Sequence, residues 1–235
     1  MKRLTNVVKD SVLVMLVTSS LAGSPNKSND TKFLYDEIFH ERLVHPEKST
    51  FLEKTNRNSI DYFSLIDILQ KTYSEVKVPD YVTIPVQMAR SYVESSNNPH
   101  ARSPVGARGL WQIMEQSWYD VMDLHFDNAY NPYLNSKASL YHINKIDMFL
   151  RQHYIGSDGH TRFDQLPIEH KRDLLNAAYN GGQGRLMRAN WDINAMPKET
   201  RDYVKRMKER TLLEEMRIYQ VYKHQNIAAR LEIKE

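Results

Sequence analysis

The sequence of 235 residues contains no cysteine and only 8 glycines. The absence of cysteine excludes disulfides, cysteine-ligated zinc, iron–sulfur clusters, thiol catalysis and a lipidated cysteine anchor. It leaves the compartment open, because many proteins outside the cytoplasm also lack cysteine. Few glycines, and no alternating stretch rich in threonine and valine, favour helices over sheets. The share of hydrophobic residues, 41%, and of charged residues, 26%, is ordinary for a globular protein.

The net positive charge is small and unevenly placed. The formal net charge is +3, and residues 1–22 supply +2 of it through Lys2, Arg3 and Lys9 against Asp10. The rest of the chain carries 29 basic and 28 acidic side chains. Because these charges nearly cancel, this part of the chain is a poor electrostatic match to nucleic acid, for which a basic face is expected. We therefore expect no nucleic acid among the partners of this protein.

Residues 1–22 resemble an export signal. A basic start precedes an apolar run from Ser11 to Leu21, which is too short to span a bilayer comfortably. Ser20 and Ala22 place small residues where a signal peptidase requires them. The alternatives are an uncleaved N-terminal anchor and a buried N-terminal helix. We expect export to the periplasm or cell envelope, with membrane contact only through this segment if it is not cleaved.

Breaks in composition divide the remaining chain into helical segments. We predict a helical N-terminal extension over residues 23–78, a main domain over 79–205, and a C-terminal helix over 206–235 that packs on the domain. In the extension, four apolar residues recur with the spacing of one helix face: Tyr62, Ile66, Leu69 and Tyr73. The expected fold class is mainly α, a compact helical domain with helical additions at both ends.

Prolines and glycines mark the helix ends of the main domain. Pro85 suits the first turn of a helix, where its missing N–H is harmless, while Pro167 opens another helix and Pro197 begins the final helical tract. Asn-Asn-Pro at residues 97–99 ends the helix that begins near Pro85. We further predict a helix of about 16 residues that begins after Gly109.

Glu94 falls in the last turn of the helix that begins near Pro85. A glutamate in this position is usually a solvated charge, and it is unfavourable near the negative end of the helix dipole. If a cleft partly buries the side chain, desolvation raises its pKa and keeps the carboxyl protonated near neutral pH. A protonated carboxyl can donate its proton to a glycosidic oxygen. The pattern therefore indicates a sugar-cleaving cleft.

Polar and aromatic residues would complete such a site. Ser103 lies in the loop that follows the helix, and Gln112 offers an amide donor and an acceptor that suit hydroxyl and acetamido groups. Trp111 either stacks on a sugar ring or belongs to the core. Tyr179 and Asn180 precede two glycines at a helix end, where they either face the cleft or cap the helix.

Three separated motifs resemble the catalytic domain of lytic transglycosylases of the soluble (SLT) type. The first comprises Glu94-Ser95, Asn98-Pro99, Ala101, Ser103, Gly106-Ala107 and Gly109-Leu110-Trp111-Gln112-Ile113-Met114. The second is Ala177-Ala178-Tyr179-Asn180-Gly181-Gly182, and the third is Pro197, Glu199-Thr200 and Tyr203-Val204. They occur in the family's order over roughly residues 80–205. The Gly-Leu-Trp-Gln run is similar to the membrane-bound murein transglycosylase D branch, but no LysM-type repeats follow it.

The resemblance implies a goose-lysozyme-like helical fold that acts on peptidoglycan without a metal or another cofactor. In this family one glutamate first protonates the oxygen between N-acetylmuramic acid and N-acetylglucosamine. As a carboxylate, it then takes the proton of the muramyl C6 hydroxyl, which closes a 1,6-anhydro ring. By matching position, Glu94 is the catalytic residue. Roles in substrate contact or in positioning the glutamate fall to Ser103, Trp111, Gln112, Tyr179 and Asn180, with Tyr203 and Glu199 as weaker correspondences.

The chain departs from the family pattern at three positions near the site. Asn97 replaces a common aromatic residue, Glu115 a common proline, and Trp118 a small residue. The changes concern packing near the cleft more than the assignment of Glu94.

Two other functions stay open on the sequence alone: a muramidase that uses Glu94 with water, and a non-catalytic peptidoglycan-binding module on the same fold. A zinc site is not expected, because His40 and His45 are spaced i, i+5 and not on one helix face. Residues 23–78 either pack on the domain, restrict the cleft, or bind a partner in an envelope-spanning secretion, phage or division machine.

Overall fold

A computed structural model describes residues 58–156 and 159–232, with side chains described as far as residue 221. The predicted export signal, the His40/His45 pair and residues 23–57 of the predicted extension lie outside the described residues. Within the described ranges the chain is helical and has no strand, only isolated β-bridges. The predicted mainly α class is therefore confirmed. No helix in these two ranges is long and apolar enough to cross a bilayer.

The described helices follow one another with short connections. The α-helices are α1 (Tyr62–Glu75), α2 (Ile84–Ser95), α3 (Glu115–Tyr119), α4 (Pro132–His153), α5 (Ile168–Gly181), α6 (Gln183–Arg188) and α7 (Lys198–Glu232). Short 3₁₀ helices lie at Phe126–Tyr130, Phe163–Gln165 and Ile193–Ala195. The helix α7 passes residue 205 without a break, so the predicted boundary there is not an end of secondary structure.

Local sequence explains where several helices begin. The side chain of Asp61 caps α1 by accepting a hydrogen bond of 3.0 Å from the backbone N–H of Ser64. Pro85 lies in the first turn of α2, while Pro167 and Pro197 directly precede α5 and α7. All three proline-marked helix starts are therefore confirmed.

The predicted long helix after Gly109 is wrong. Gly109 has a φ of +79° and Gln112 a φ of +48°, both on the left-handed side. The backbones of Arg108 and Ile113 exchange two hydrogen bonds of 3.0 Å, which closes a tight turn. A left-handed residue cannot continue a right-handed helix, so helical structure resumes only in the five-residue helix α3. Apolar residues in this run therefore pack from a turn and not from a helix face.

Two apolar clusters hold the helices together around α4. The first joins α1 and α2 to the turn and to α4, through Leu65, Leu69, Met88, Leu110, Trp111, Ile113, Trp118 and Ala138. The second joins α4, α5 and α6, through Ile143, Leu150, Leu174, Leu175, Ala178 and Leu186. Because α1 shares the first cluster with the main domain, the predicted boundary at residue 78 does not separate two cores.

A third cluster fixes α7 along α2. It consists of Val86 and Ala89 from α2 with Tyr203 and Met207 from α7. Farther along α7, the guanidinium of Arg210 lies 3.3 Å from the ring centroid of Tyr92 on α2. Packing along two successive stretches sets the rotation of α7 about its axis, and this rotation decides which side chains of α7 face the end of α2.

Gly109 and Gly106 allow a test of how tightly the turn is packed. A Cβ at Gly109 would come within 2.6 Å of the Asn135 side chain, whereas a Cβ at Gly106 has nothing within 4 Å. Both glycines have positive φ, so either change to alanine adds backbone strain. Gly109→Ala should lower the free energy of unfolding in urea by about 1–3 kcal/mol more than Gly106→Ala does, because only it overpacks the interior. Equal losses would contradict this close packing.

Candidate active site

Glu94 lies at the point where α2 ends. Ser96 and Asn97, with φ of +53° and +62°, adopt left-handed conformations and turn the chain away from the helix. Asparagine tolerates this conformation better than an aromatic residue does, which gives the departure at position 97 a physical reason. The hydroxyl of Ser95 donates to the carbonyl of Leu110 at 2.9 Å, so the end of α2 is tied to the tight turn.

The carboxyl of Glu94 is partly buried and accepts a hydrogen bond of 2.7 Å from the hydroxyl of Tyr203 on α7. Burial raises the pKa of Glu94 to about 7, and this effect exceeds three opposing ones. The opposing effects come from the Tyr203 hydrogen bond and from the positive charges of Arg90 and Arg206. A carboxyl with a pKa near 7 can both give and take a proton at neutral pH.

Two tyrosines contribute to the surroundings of this carboxyl. Tyr203 is 2% exposed, and Tyr179 on α5 is half-buried with its hydroxyl donating to the carbonyl of Trp111 at 2.8 Å. Burial raises the pKa of both tyrosines, and the charge of Glu94 raises it further. Both therefore stay neutral hydrogen-bond donors at physiological pH. The structure thus places Tyr203 and Tyr179 close enough to Glu94 for its charge to act on both. In the sequence analysis Tyr203 was one of the weaker correspondences.

Trp111 is not available for stacking on a sugar. Its side chain is 0% exposed, and its indole N–H donates to the backbone carbonyl of Gln87 at 3.0 Å. The stacking alternative is therefore wrong, because the ring lies inside the first apolar cluster and the core alternative holds. Trp118 is likewise fully buried, with its indole N–H bonded to the carbonyl of Leu124 at 2.6 Å.

Gln112 and Ser103 brace the loop between α2 and α3. The amide of Gln112 donates to the carbonyls of Gly109 at 2.8 Å and Ala101 at 3.3 Å. The hydroxyl of Ser103 accepts from the backbone N–H of Ala107 at 2.9 Å. Both side chains are half-buried, as is Asn180 in the last turn of α5. Among the hydrogen bonds of the described residues, none joins Ser103, Gln112 or Asn180 to Glu94.

A surface groove of about 490 Å³ runs along the exposed side of α7. Its lining is charged: Glu199, Asp202, Lys205, Arg206 and Glu209. Glu199, a weaker sequence candidate, lies here in the first turn of α7 and is exposed. Arg206 also lowers the pKa of Glu94, so its positive charge acts on the carboxyl.

Sequence reasoning missed three polar residues of this region, two of them buried and one half-buried. Arg90 is 0% exposed and precedes Glu94 by one turn of α2, a spacing that was visible in the sequence. Asn135 on α4 accepts from the backbone N–H of Trp111 at 2.9 Å and so holds the turn. The ring of His142, also on α4, lies 5.4 Å from that of Tyr179, and burial lowers its pKa to about 4. No sequence signal places these two residues of α4.

No metal site accompanies this arrangement in the part of the chain that the structure describes. Among those residues, no group of three or more histidine, aspartate or glutamate side chains could hold an ion.

The family model of the transglycosylase SLT domain matches residues 82–204, more than half of the chain. The chain belongs to this family. The match includes α2 with Glu94, the tight turn, α4 to α6, and the beginning of α7 with Tyr203. It ends inside α7, at residue 204, although the helix continues to Glu232. Within the transglycosylase SLT domain, the contact between Glu94 and Tyr203 thus joins two distant ends of the matched segment.

Among the solved structures that are similar to this SLT-domain protein are two of lytic transglycosylases. An inactive mutant of the lytic transglycosylase Slt from Pseudomonas aeruginosa has 18% identity and a TM-score of 0.49, over 65% of this chain and 24% of that one. The 70 kDa soluble lytic transglycosylase of Escherichia coli has 24% identity and a TM-score of 0.46, over the same shares of 65% and 24%. The chain therefore aligns with about a quarter of each. No curated protein sequence matches it.

The hydrogen bond from Tyr203 predicts how the acidity of Glu94 responds to mutation. Tyr203→Phe removes a donor that favours the carboxylate, so the pKa of Glu94 should rise above about 7. The carboxyl resonance of Glu94, followed by ¹³C NMR against pH, measures this. Tyr179→Phe is the matched control, because its hydroxyl donates to Trp111 and should leave the Glu94 titration nearly unchanged. A larger shift in the control would contradict the role of Tyr203.

The raised pKa of Glu94 also predicts a pH-dependent cost to stability. Between the ordinary glutamate pKa of 4.5 and about 7, the folded chain binds more protons than the unfolded chain. Stability contributed by this group is therefore full at low pH and is lost as pH rises through that window. Glu94→Gln stays neutral, so its free energy of unfolding relative to wild type should increase from about pH 4 to pH 8, by at most roughly 3 kcal/mol. A pH-independent difference in urea denaturation would show that Glu94 titrates normally.

Proposed function

We propose that this protein is a peptidoglycan lytic transglycosylase. It cleaves the β-1,4 bond between N-acetylmuramic acid and N-acetylglucosamine and leaves 1,6-anhydro-N-acetylmuramic ends. Membership of the transglycosylase SLT family supports the substrate class. The observation that carries the proposal is the carboxyl of Glu94, partly buried beside Tyr203 with a pKa of about 7.

Glu94 serves both halves of the proposed reaction. Protonated, it donates its proton to the bridging oxygen as the bond from that oxygen to muramyl C1 breaks. The C6 hydroxyl of the same muramyl residue then attacks C1 and passes its proton to the Glu94 carboxylate. The bond count balances without water, and the carboxyl returns to its starting state. Between the two steps the Tyr203 hydroxyl stabilises the carboxylate through its hydrogen bond.

A single carboxyl suffices for this chemistry because the second nucleophile comes from the substrate. Hydrolases of glycosidic bonds usually need a second acid to activate water or to act as the nucleophile. The C6 hydroxyl is held beside C1, so it acts at a high effective concentration and replaces water. Further candidates for a second acid are exposed on the surface: Glu115, Asp120 and Asp123.

Purified sacculi digested with the full chain provide the test. Mass spectrometry should find muropeptides that are one water lighter than the products of hydrolysis, whereas a muramidase would give the hydrated products. Glu94→Gln should reduce the release of products at least about a hundredfold, as loss of a general acid does. Glu115→Gln is the matched control, because Glu115 is exposed, and it should cleave like wild type. If all three proteins bind sacculi without releasing products, the chain is a binding module and the proposed activity is wrong.

The cellular location follows from the substrate and from residues 1–22. Peptidoglycan lies outside the cytoplasmic membrane, so the protein has to be exported to act on it, and the N-terminal segment is the expected signal. A role for residues 23–78 in binding an envelope-spanning partner stays a prediction from the sequence.

A further inference from the structure

Arg90 is a buried cation inside the domain. It lies on α2 one turn before Glu94, a spacing that places both side chains on the same side of the helix. It is 0% exposed. One guanidinium nitrogen, Nη2, donates to Oδ1 of Asn176 at 2.8 Å, and the guanidinium carbon lies 4.7 Å from the ring centroid of Tyr179. The other two nitrogens, Nε and Nη1, have no hydrogen-bond partner among the described residues.

The charge of Arg90 has no resident counter-ion. Among the ion pairs of the described residues, none includes Arg90. A buried cation without a carboxylate partner is unfavourable, because nothing offsets the water that it loses. Interactions that weaken a fold tend to persist where function requires them. The burial of Arg90 is therefore best explained by an anion that forms beside it only at some stage of the function.

Most groups that face this region are uncharged at neutral pH. From α4, His142 has a pKa lowered to about 4, chiefly by burial, and is neutral. From α5 come Tyr179 and Asn176, and from α7 comes Tyr203; burial raises the pKa of both tyrosines, which stay neutral too. Tyr73 of α1, on which the charge of Arg90 acts, has a pKa raised by burial and is neutral as well. Arg206 of α7 is a charged group that acts on Glu94, and it is a cation.

We infer that Arg90 is a positioning residue of the site, which stabilises the carboxylate of Glu94 by its charge and holds Tyr179 and Asn176 of α5 against α2. The inference rests on the proposed function, because the carboxylate forms when Glu94 gives its proton to the glycosidic oxygen. While Glu94 holds its proton, the cation lacks an anionic partner. Once the proton has left, the buried positive charge faces a negative one across a single helical turn, which favours proton release.

The same geometry sets the strength of Glu94 as an acid. Burial alone would hold the proton too firmly for efficient donation. Arg90, Arg206 and the Tyr203 hydrogen bond together bring the pKa back to about 7. Of these two cations, Arg90 is the buried one, so solvent screens its charge least.

A purely structural role is the competing explanation. On that view Arg90 only bridges α2 and α5 through Asn176, and its charge is incidental. Three variants separate the two explanations in the full chain. Arg90→Lys keeps the charge, Arg90→Gln keeps a neutral donor that can still serve Asn176, and Arg90→Met keeps only the approximate length.

The titration of Glu94 is the primary measurement, with the carboxyl ¹³C resonance assigned from its loss in Glu94→Gln. Removing a neighbouring positive charge raises a carboxyl pKa, so the midpoint should rise on the order of one pH unit in both the Met and the Gln variants. It should stay near that of wild type in Arg90→Lys. In glycan cleavage, the alkaline limit of activity should move upward by the same amount. Arg172→Met is the matched control: its guanidinium pairs with Glu215 at 3.2 Å, and the midpoint should not change.

The outcomes are distinguishable. A folded Gln or Met variant that titrates at the wild-type midpoint overturns the inference, as does a Lys variant that shifts like Gln. If the Met variant fails to fold, the comparison of Gln with Lys decides alone. A wild-type chain that cleaves no glycan would overturn the proposed function. The NMR midpoints would still support or overturn the coupling of Arg90 to Glu94.

Discussion

The contact between the carboxyl of Glu94 and the hydroxyl of Tyr203 is the interaction on which the rest of the site depends. It joins the end of α2 to the beginning of α7, across 109 residues of sequence. Tyr203 reaches the carboxyl because Val86, Ala89 and Met207 pack around it and fix the rotation of α7. The same packing shields the carboxyl from solvent and so raises its pKa. Apolar contacts between two helices thus determine the protonation of a polar group.

The acidity of Glu94 is a balance of opposing effects. Burial without compensation would leave an acid that never releases its proton, whereas strong ion pairing would leave a permanent carboxylate. The site avoids both extremes by surrounding the carboxyl with a tyrosine hydroxyl and with two arginines at different depths. Arg90 lies inside the core, while Arg206 belongs to the surface groove along α7. The outcome is a pKa near neutrality, where a single group can act as both acid and base.

The spacing of apolar residues and the positions of the prolines predicted the parts of the fold that local interactions determine. The starts of α2, α5 and α7 followed from Pro85, Pro167 and Pro197, and the place of Glu94 in the last turn of α2 followed from its distance to Pro99. The tight turn after Gly109 did not follow, because its apolar residues have spacings that also suit a helix. Tertiary contacts decide for the turn, among them the side chain of Asn135, which accepts a hydrogen bond from the backbone N–H of Trp111.

The Gly-Leu-Trp-Gln run shows why a motif can identify a site without supplying its contacts. Gly109 lets Asn135 approach, and the indole of Trp111 fills the core. The amide of Gln112 closes the turn on itself, through the carbonyl of Gly109. The run contacts the neighbouring helices through its backbone. The carbonyl of Leu110 accepts a hydrogen bond from the hydroxyl of Ser95, next to Glu94, and the carbonyl of Trp111 accepts one from the hydroxyl of Tyr179.

These two carbonyls are acceptors of fixed position, because the side chains of the same run hold the turn in one conformation. One of them ties down the last turn of α2, which carries Glu94, and the other orients the tyrosine that packs on Arg90. The residues that make the motif recognisable therefore act on the carboxyl indirectly, by fixing the elements that surround it. Side chains that touch the carboxyl or change its pKa come instead from outside the Gly-Leu-Trp-Gln run: Arg90 earlier on α2, and Tyr203 and Arg206 on α7.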